Sequence, residues 1–390
     1  MKILMLTPYL PYPLFSGGQI RSYNLLKNLA QKHEITLFSF IRSGKEEQYL
    51  KHLKPFCRKV IIFKRRQAWD PRNLLLALFT PYPFLVSLYL SSSFRRAITE
   101  ELRNGNYDLI HAETFYIMPN LPQTKVPTLL VEQTIEYLVY QQFVRDFKLW
   151  LLKPLLYFDV LKINLWEKYY WRRATRLAAM SDSDKQIMTQ SVKDKKVDVV
   201  ANGVDVKFFS GVKPKPGQVV LFIGNFKWLP NRDAAQFLAK AIWPKIVASL
   251  PHASLLIVGR NPTKEILKLA QAGVRIEGDV ADIRTAFAKA SVLLAPIRNG
   301  RGTKYKVLEA MASGLPVVTT KLGIEGIDAK DSVLVVESAA DLASQTIKVL
   351  RDQRLARRLA DKAKKIVYNQ YNWETISNRL NLVYQQLGGA

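Results

Sequence analysis

The segment that decides the fold is residues 295–320, which read APIRNGRGTKYKVLEAMASGLPVVTT. It opens at the end of an apolar strand, passes through a loop that contains Gly300 and Gly302, and enters a helix that we expect to begin near Thr303. A second apolar strand follows the helix. Strand, glycine loop, helix and strand in this order are the unit from which parallel α/β sheets are built.

The loop and the start of that helix have the features of a phosphate-binding site. Glycines let backbone N–H groups approach an anion, and a helix N-terminus adds unpaired N–H groups with partial positive charge. Lys304 and Lys306 place two cations in a first turn where the helix dipole favours acidic residues. A diphosphate would remove that conflict, so we predict diphosphate contacts from both lysines, Gly302 and Thr303. Glu309, further along the helix, is placed to accept hydrogen bonds from ribose hydroxyls.

The same alternation of apolar strands and helices continues over the whole chain of 390 residues, which is longer than one hydrophobic core usually supports. We therefore predict the α/β class with two Rossmann-like domains. The N-terminal domain is placed at residues 1–205 and the C-terminal domain at residues 206–370, because residues 206–218 are rich in Pro, Gly and Lys. Residues 371–390 are expected to form an amphipathic helix that packs back on the N-terminal domain.

Composition limits the partners and the compartment. The formal net charge of +26 favours anionic partners, namely nucleic acid, anionic lipid or phosphorylated small molecules. Cys57 is the single cysteine, which fits a reducing compartment such as the cytoplasm. The most hydrophobic window, residues 74–90, is interrupted by two prolines and is too short to span a bilayer. The N-terminus lacks the long apolar run of a secretory signal.

Residues 137–176 combine Trp, Tyr, Phe and Leu with scattered Lys and Arg. This composition is typical of a helix at a membrane surface, where aromatic rings enter the head-group layer and basic residues meet anionic lipid. A helix whose aromatic residues pack into its own domain explains the composition equally well, and both interpretations stay open. The first predicts an anionic membrane surface as a partner and a location at the inner face of the cytoplasmic membrane.

Residues 295–320 resemble the donor-binding segment of glycosyltransferase family 4, whose members have two Rossmann-like domains facing a central cleft, the GT-B architecture. That family usually carries two glutamates eight positions apart, followed by Ala-Met-Ala and Gly-x-Pro-Val. Glu309 matches the second glutamate, which binds the donor's ribose, whereas Arg301 stands where the first is expected. The usual acidic contact to the donor sugar is therefore not supplied at position 301. The form NGRGTKYKVLEAMA is similar to a subgroup associated with exopolysaccharide synthesis.

Two further segments of the C-terminal half extend the resemblance. Residues 221–246 resemble the first strand, loop and helix of the donor domain, where the family places an Arg and a Lys against the diphosphate. Residues 274–297 resemble the segment whose backbone reads the nucleotide base. The donor contacts that the resemblance implies here are Asn225 (at the position of the family's Arg), Lys227, Arg232, Gly278 and Val280.

The N-terminal half supplies further candidate site residues. Residues 7–30 resemble the family's loop at the inter-domain cleft, which here carries Gly17 and Gly18 as donor contacts, with Arg21 on the following helix as an acceptor-side residue. His111 ends a predicted strand, and ligands bind at such ends in open α/β sheets, so it is the catalytic candidate. A core histidine explains the same position.

Other acidic residues lie near predicted strand ends. Among them Glu132 is the candidate for orienting acceptor hydroxyls, and no residue is assigned as a general base.

The resemblance implies transfer of a sugar from a UDP- or GDP-sugar to a glycan or a lipid-linked acceptor, with retention of configuration. It implies no metal and no other cofactor, because lysines and helix amides can neutralise a departing diphosphate as Mg²⁺ would. A sugar-nucleotide epimerase, a phosphorylase on the same fold and a non-catalytic nucleotide-sugar-binding protein stay open as alternatives. A nucleic-acid-binding protein is not favoured, since no RNP-type sequence, zinc spacing or helix-turn-helix accounts for the chain.

Overall fold

The computed structural model describes residues 1–388, which fall into two α/β units. The first unit comprises Met1–Ala201 and the chain from Ile376 on, and the second comprises Asn202–Thr375. These divisions lie close to the predicted ends at residues 205 and 370.

A link between two distant segments explains where the second unit begins and ends. Val204 donates its backbone N–H to the carbonyl of Tyr371 (2.7 Å) and pairs with Asn372 in an isolated bridge. The side chain of Trp373 packs against Gly203 so closely that a Cβ there would lie 2.9 Å from the indole ring. The first and the last residues of the second unit are therefore joined to each other. The local Pro and Gly content of the sequence does not reveal this contact.

The first unit is built on a seven-stranded parallel sheet in the order β3-β2-β1-β4-β5-β6-β7. Its strands are β1 (Lys2–Thr7), β2 (Glu34–Ile41), β3 (Lys59–Lys64), β4 (Leu109–Glu113), β5 (Thr128–Glu132), β6 (Arg176–Ala179) and β7 (Val197–Val199). The central strands β1, β4 and β5 are buried along almost their whole length because helices cover both faces of a parallel sheet.

Helices connect these strands. They are α1 (Gly17–Leu29), α2 (Pro71–Phe79), α3 (Phe84–Ser87), α4 (Ser92–Asn104), α5 (Glu136–Asp146), α6 (Lys153–Arg173) and α7 (Asp182–Ser191), with 3-10 turns at Gly44–His52, Lys54–Phe56, Phe115–Asn120 and Trp150–Leu152. Ser16, Ser91 and Ser181 each accept a backbone N–H at a helix start, which satisfies a donor that the helix itself leaves unpaired.

The second unit is built on a six-stranded parallel sheet in the order β10-β9-β8-β11-β12-β13. Its strands are β8 (Val219–Ile223), β9 (Ser254–Gly259), β10 (Val274–Gly278), β11 (Val292–Ala295), β12 (Val317–Thr319) and β13 (Leu334–Val335). The strand order changes direction between β8 and β11. In open parallel sheets, ligands bind at the carboxyl ends of the strands beside such a switch point.

The helices of the second unit are α8 (Val206–Ser210), α9 (Leu229–Phe237), α10 (Trp243–Ser249), α11 (Lys264–Leu267), α12 (Arg284–Lys289), α13 (Tyr305–Ala312), α14 (Ala339–Arg351) and α15 (Gln353–Ile366). Single π-helical turns occupy Leu238–Ile242 and Val367–Tyr371, and a 3-10 turn occupies Leu322–Ile324. The last helix is α16 (Trp373–Gly388), while positions 389 and 390 of the predicted terminal helix lie outside the described residues.

Two expectations about the helices need adjustment. The helix predicted from Thr303 begins at Tyr305, because Gly302 takes a positive φ of 85° and prolongs the loop. Residues 137–176 form two helices with a 3-10 turn between them, and not one long helix. The α/β class with two parallel sheets is confirmed. None of the helices described within residues 1–388 combines the length and the apolar character that crossing a bilayer requires.

Candidate functional site

Polar side chains join the loops that follow three adjacent strands of the second unit. Asn225 follows β8, Asn261 follows β9 and Asp279 follows β10. The side chain of Asn261 donates to Oδ1 of Asn225 (3.1 Å), and the backbone N–H of Asn261 donates to Oδ1 of Asp279 (3.1 Å). Oδ1 of Asn225 also accepts the backbone N–H of Lys227 (3.1 Å), whose side chain is exposed. These bonds form a polar rim at the carboxyl ends of the strands.

Asn261 and Asp279 were not singled out from the sequence. Both have positive φ angles, 53° and 49°, which Asn and Asp tolerate better than other residues with a side chain. Their position directly after apolar strands was the available signal. Gly278 and Val280 flank Asp279 on this rim, and a Cβ at Gly278 would lie 2.8 Å from the ring of Pro262.

The glycine loop before α13 curls around one lysine. Gly300 and Gly302 both take positive φ angles, 89° and 85°, and Nζ of Lys304 donates to their carbonyl oxygens at 3.1 and 2.5 Å. A Cβ at Gly300 would lie 2.9 Å from the ring of Pro230, so glycine is required for space as well as for conformation. Burial lowers the pKa of Lys304 to about 8, although the charge of Glu325 opposes this shift.

Lys306 is more deeply buried than Lys304. Its Nζ donates to Oδ1 of Asn231 (2.7 Å) and lies 4.5 Å from the centre of the Phe222 ring. Burial, followed by the charge of Lys304, lowers the pKa of Lys306 to about 7. Burial raises the pKa of the neighbouring Glu309 to about 7, against the attraction of Lys306. Two ammonium groups are thus held together at the start of one helix, where a bound anion would stabilise both charges.

Some polar atoms at this end of the sheet are buried without a hydrogen-bond partner within residues 1–388. The hydroxyl of Thr303 and Nε of Arg232 are buried without a hydrogen bond among residues 1–388. Unsatisfied buried polar atoms are destabilising, and they are tolerated where a ligand completes the bonding. Thr303 directly precedes Lys304, and Arg232 lies in the first turn of α9. The structure therefore groups the donor contacts predicted in the second unit around the carboxyl end of its sheet, while Gly17 and Gly18 lie in the first unit.

The predicted glycine contact of the first unit is closely packed. Gly18, in the first turn of α1, faces the side chains of Tyr9 and Gln133, and a Cβ there would lie 2.6 Å from Oε1 of Gln133. Gly17 is the first residue of the same helix. Arg21, also on α1, is buried and donates from Nη1 to the carbonyl of Ala201 (2.8 Å). This hydrogen bond joins α1 to Ala201, the last residue of the segment Met1–Ala201 of the first unit.

His111 is completely buried in β4, and both ring nitrogens have partners. Nε2 lies 3.0 Å from Oε1 of Glu113, and Nδ1 lies 2.5 Å from the hydroxyl of Tyr384. Burial opposes ionisation of Glu113, but its bonds to His111 and Gln133 and the charge of Arg21 keep its pKa below the usual value. Burial raises the pKa of Tyr384 well above its usual value.

Both partners hold the imidazole ring in the interior of the unit. The carboxylate of Glu113 can only accept, so the Nε2–H of His111 donates to it, and Nδ1 is hydrogen-bonded to the hydroxyl of Tyr384. No ring nitrogen is left for a substrate. The arrangement favours the core interpretation of His111 over the catalytic one.

Glu132 lies in a buried cluster of carboxyl groups at the start of α5. Its Oε1 accepts the indole N–H of Trp171 (3.0 Å), and burial, together with the nearby charge of Glu167, raises its pKa well above the usual value. Glu167 itself accepts the backbone N–H groups of Glu136 (2.9 Å) and Tyr137 (3.1 Å), so it caps α5. The structure thus places Glu132 in the interior and not on an exposed acceptor surface.

Comparison with known proteins identifies the family. Residues 15–208 match the model described as Glycosyltransferase Family 4, and residues 217–352 match the model described as Glycosyl transferases group 1. The chain belongs to glycosyltransferase family 4. The resemblance seen in the sequence is therefore confirmed.

Known relatives agree with this assignment. The phosphatidyl-myo-inositol mannosyltransferase of Mycolicibacterium smegmatis is 27% identical over 335 residues, which cover 80% of either chain. Sucrose-phosphate synthase from Thermosynechococcus elongatus superposes with a TM-score of 0.72 at 18% identity, covering 100% of both chains. Anabaena HepE, solved with UDP and glucose, superposes with a TM-score of 0.65 at 16% identity, covering 99% of this chain and 100% of its own. The predicted GT-B fold is confirmed.

The first unit of this glycosyltransferase has an exposed apolar surface formed by residues 69–79 and 149–165. Its exposed large apolar side chains are Trp69, Leu74, Leu75, Leu78, Phe79, Leu149, Trp150, Leu151, Leu152, Leu155, Tyr157, Phe158, Leu161 and Leu165. Lys162 joins the two segments, since its Nζ donates to the carbonyls of Ala77 (2.5 Å) and Thr80 (2.8 Å). Trp69 and Trp150 are 82% and 72% exposed, far more than a large aromatic side chain usually is.

Residues 137–176 carry both buried and exposed apolar side chains. Val160, Ile163 and Trp171 of the glycosyltransferase's α6 are buried, as the packed-helix interpretation expects. The exposed apolar surface occupies other positions of the same helix and of the 3-10 turn before it. Basic side chains accompany it, including the exposed Lys148 and Arg172.

Proposed function

We propose that this glycosyltransferase takes its sugar from a UDP- or GDP-sugar whose diphosphate binds at the glycine loop and the first turn of α13. The observation that carries the proposal is the pair Lys304 and Lys306, two buried lysines whose pKa values burial lowers to about 8 and about 7. Burial makes both positive charges costly despite the nearby carboxylates of Glu325 and Glu309, and a bound diphosphate would stabilise them. The complex of Anabaena HepE with UDP and glucose supports a nucleotide diphosphate as that anion.

The chemistry then needs no further protein base. As the bond between the sugar and the diphosphate breaks, negative charge grows on the leaving oxygen, and the two lysines and the loop amides stabilise it. The departing phosphate takes the proton from the acceptor hydroxyl, which attacks the same face of the sugar, so configuration is retained. Because the lysines supply the positive charge, the reaction runs without a metal.

The acceptor in this proposal is a glycan or a lipid-linked acceptor reached at a membrane. The exposed apolar surface supports this part, because apolar and aromatic groups of this size enter the head-group layer of a bilayer. The net charge of +26 adds attraction to anionic lipid, as at the inner face of the cytoplasmic membrane. The mannosyltransferase of M. smegmatis is named for a lipid acceptor, phosphatidyl-myo-inositol.

A panel of nucleotides and nucleotide sugars tests the donor. A ligand that binds only the folded protein raises its melting temperature, so UDP- or GDP-sugars should stabilise the protein in a thermal-shift assay. Slow hydrolysis of the stabilising donor without acceptor separates an enzyme from a binding-only protein. Turnover should persist in EDTA. Stabilisation by no nucleotide would refute the donor proposal, and turnover that requires added Mn²⁺ would refute metal independence.

A further inference from the structure

One acidic side chain contacts the glycine loop next to the two lysines. Oε2 of Glu325 accepts the backbone N–H of Gly302 (2.9 Å) and lies 3.9 Å from Nζ of Lys304. Glu325 comes from the turn after β12 and not from the loop itself. Its carboxylate therefore reaches the glycine loop from outside, next to the cation that the diphosphate would meet.

The turn that carries Glu325 is anchored to the end of β11. Thr320 donates its hydroxyl to the carbonyl of Ile297 (2.5 Å) and accepts the N–H of Gly323 (3.1 Å). Thr319 donates to the carbonyl of Ala295 (2.7 Å). Because these bonds are buried, the carboxylate is held at the loop by fixed backbone and not by a flexible surface segment.

Within residues 1–388, the carboxylate of Glu325 accepts a hydrogen bond only through Oε2, from Gly302, and its side chain stays 22% exposed. A carboxylate repels a phosphate but accepts hydrogen bonds strongly from hydroxyl groups. In a nucleotide sugar, the groups next to the diphosphate that carry hydroxyls are the sugars at either end. Glu309, on α13, is already the candidate for the ribose.

We propose that Glu325 accepts a hydrogen bond from a hydroxyl of the transferred sugar and so selects the donor. This inference rests on the proposed function and adds a residue to the same site. Position 301, beside Gly302 in the chain, carries Arg301, an exposed basic residue. Glu325 thus supplies to this loop the acidic group that its own sequence lacks.

Glu325→Gln tests the proposal, because the amide keeps an acceptor for Gly302 and removes the charge. We expect kcat/KM for the nucleotide sugar to fall about 10- to 100-fold, the loss of one hydrogen bond to a charged group. Affinity for the bare nucleoside diphosphate should change less than about twofold, since that ligand has no transferred sugar. Discrimination between donors that differ at a single hydroxyl should weaken. Glu337→Gln is the matched control, because Glu337 also accepts a backbone N–H in this unit, from Lys321 (2.8 Å).

A double variant distinguishes recognition of the sugar by Glu325 from a purely structural role in holding the loop. Arg301→Glu, added to Glu325→Gln, returns a carboxylate beside Gly302 and should recover part of kcat/KM. Loss of nucleoside diphosphate affinity in step with kcat/KM would show a brace and overturn the proposal. Tighter nucleoside diphosphate binding would mean that Glu325 occupies the phosphate position, which also overturns it. A wild-type protein that binds no nucleotide sugar would instead refute the proposed function.

Discussion

Lys304 and Lys306 differ from ordinary surface lysines in being buried beside each other at the start of α13. Lys304→Ala or Lys306→Ala should each weaken nucleoside diphosphate binding by about 1.5–3 kcal/mol, the range for hydrogen bonds to charged groups. Calorimetric titration measures this change. Lys240→Ala, at an exposed lysine of the same unit, is the control and should leave affinity unchanged. Normal affinity in both buried-lysine variants would remove the diphosphate from this loop.

Donor affinity should also depend on pH. Burial lowers the pKa values of free Lys306 and Lys304 to about 7 and about 8, and a diphosphate would raise both, so binding takes up protons. Affinity should therefore fall as pH rises through this range, by up to about tenfold per pH unit for each lysine. Burial raises the pKa of Glu309 to about 7, so this carboxylate loses its charge at lower pH. An uncharged Glu309 accepts hydrogen bonds from ribose hydroxyls less strongly, so its protonation should lower donor affinity at acidic pH.

Titration calorimetry in two buffers of different ionisation enthalpy measures that proton uptake directly. Lys306→Arg is the informative variant, because a guanidinium stays protonated in proteins and should make the alkaline decline shallower. Affinity that does not vary between about pH 6 and pH 9 would contradict the assignment.

At the scale of elements, the junction of β5, α5 and α6 buries Glu132 and Glu167 close together. The folded pKa of Glu132 is raised, so the folded state binds more protons than the unfolded state above the usual glutamate pKa, and stability is lost as pH rises. Glu132→Gln removes this loss. We expect the variant to be more stable than wild type at about pH 8 and to differ less from it at about pH 5.

Chemical denaturation at both pH values measures the difference. Glu100→Gln, on the exposed side of α4, is the control and should show no pH-dependent gain. A Glu132→Gln variant that is equally stable but inactive would return Glu132 to an acceptor-binding role.

At the scale of the whole molecule, the exposed apolar surface and the charge of +26 predict reversible membrane binding. Each basic residue near an anionic bilayer contributes about 1 kcal/mol, and this attraction fades with salt because the Debye length is about 8 Å at physiological ionic strength. The protein should sediment with anionic vesicles at low salt, be released at high salt and stay soluble with neutral vesicles.

Substitution in the apolar surface tests the same prediction. Trp150→Ser combined with Leu151→Ser should reduce sedimentation without lowering stability, because both side chains are exposed. Leu267→Ser, at an exposed leucine of the second unit, is the control. A wild-type protein that stays in the supernatant with anionic vesicles at low salt would refute membrane docking and leave the glycosyltransferase assignment intact.

The sequence by itself determined the two parallel sheets, because strands covered on both faces are expected to be continuous apolar runs, as β8 and β11 are. It also predicted the glycine loop before α13, since Gly300 and Gly302 mark positions of positive φ next to closely spaced lysines. These features are local, so the order of residues encodes them.

Only the tertiary structure decided which distant residues meet at the site. Glu325 reaches the N–H of Gly302 across 23 positions, and Tyr384 reaches His111 across 273, so no local pattern predicts either pair. Lys306 reads from the sequence as a charged residue of a first helical turn, but the sheet beneath it makes it buried and lowers its pKa. Burial and long-range pairing depend on how elements pack against one another, which is why the sequence alone does not separate buried core residues such as His111 from the candidate donor contacts.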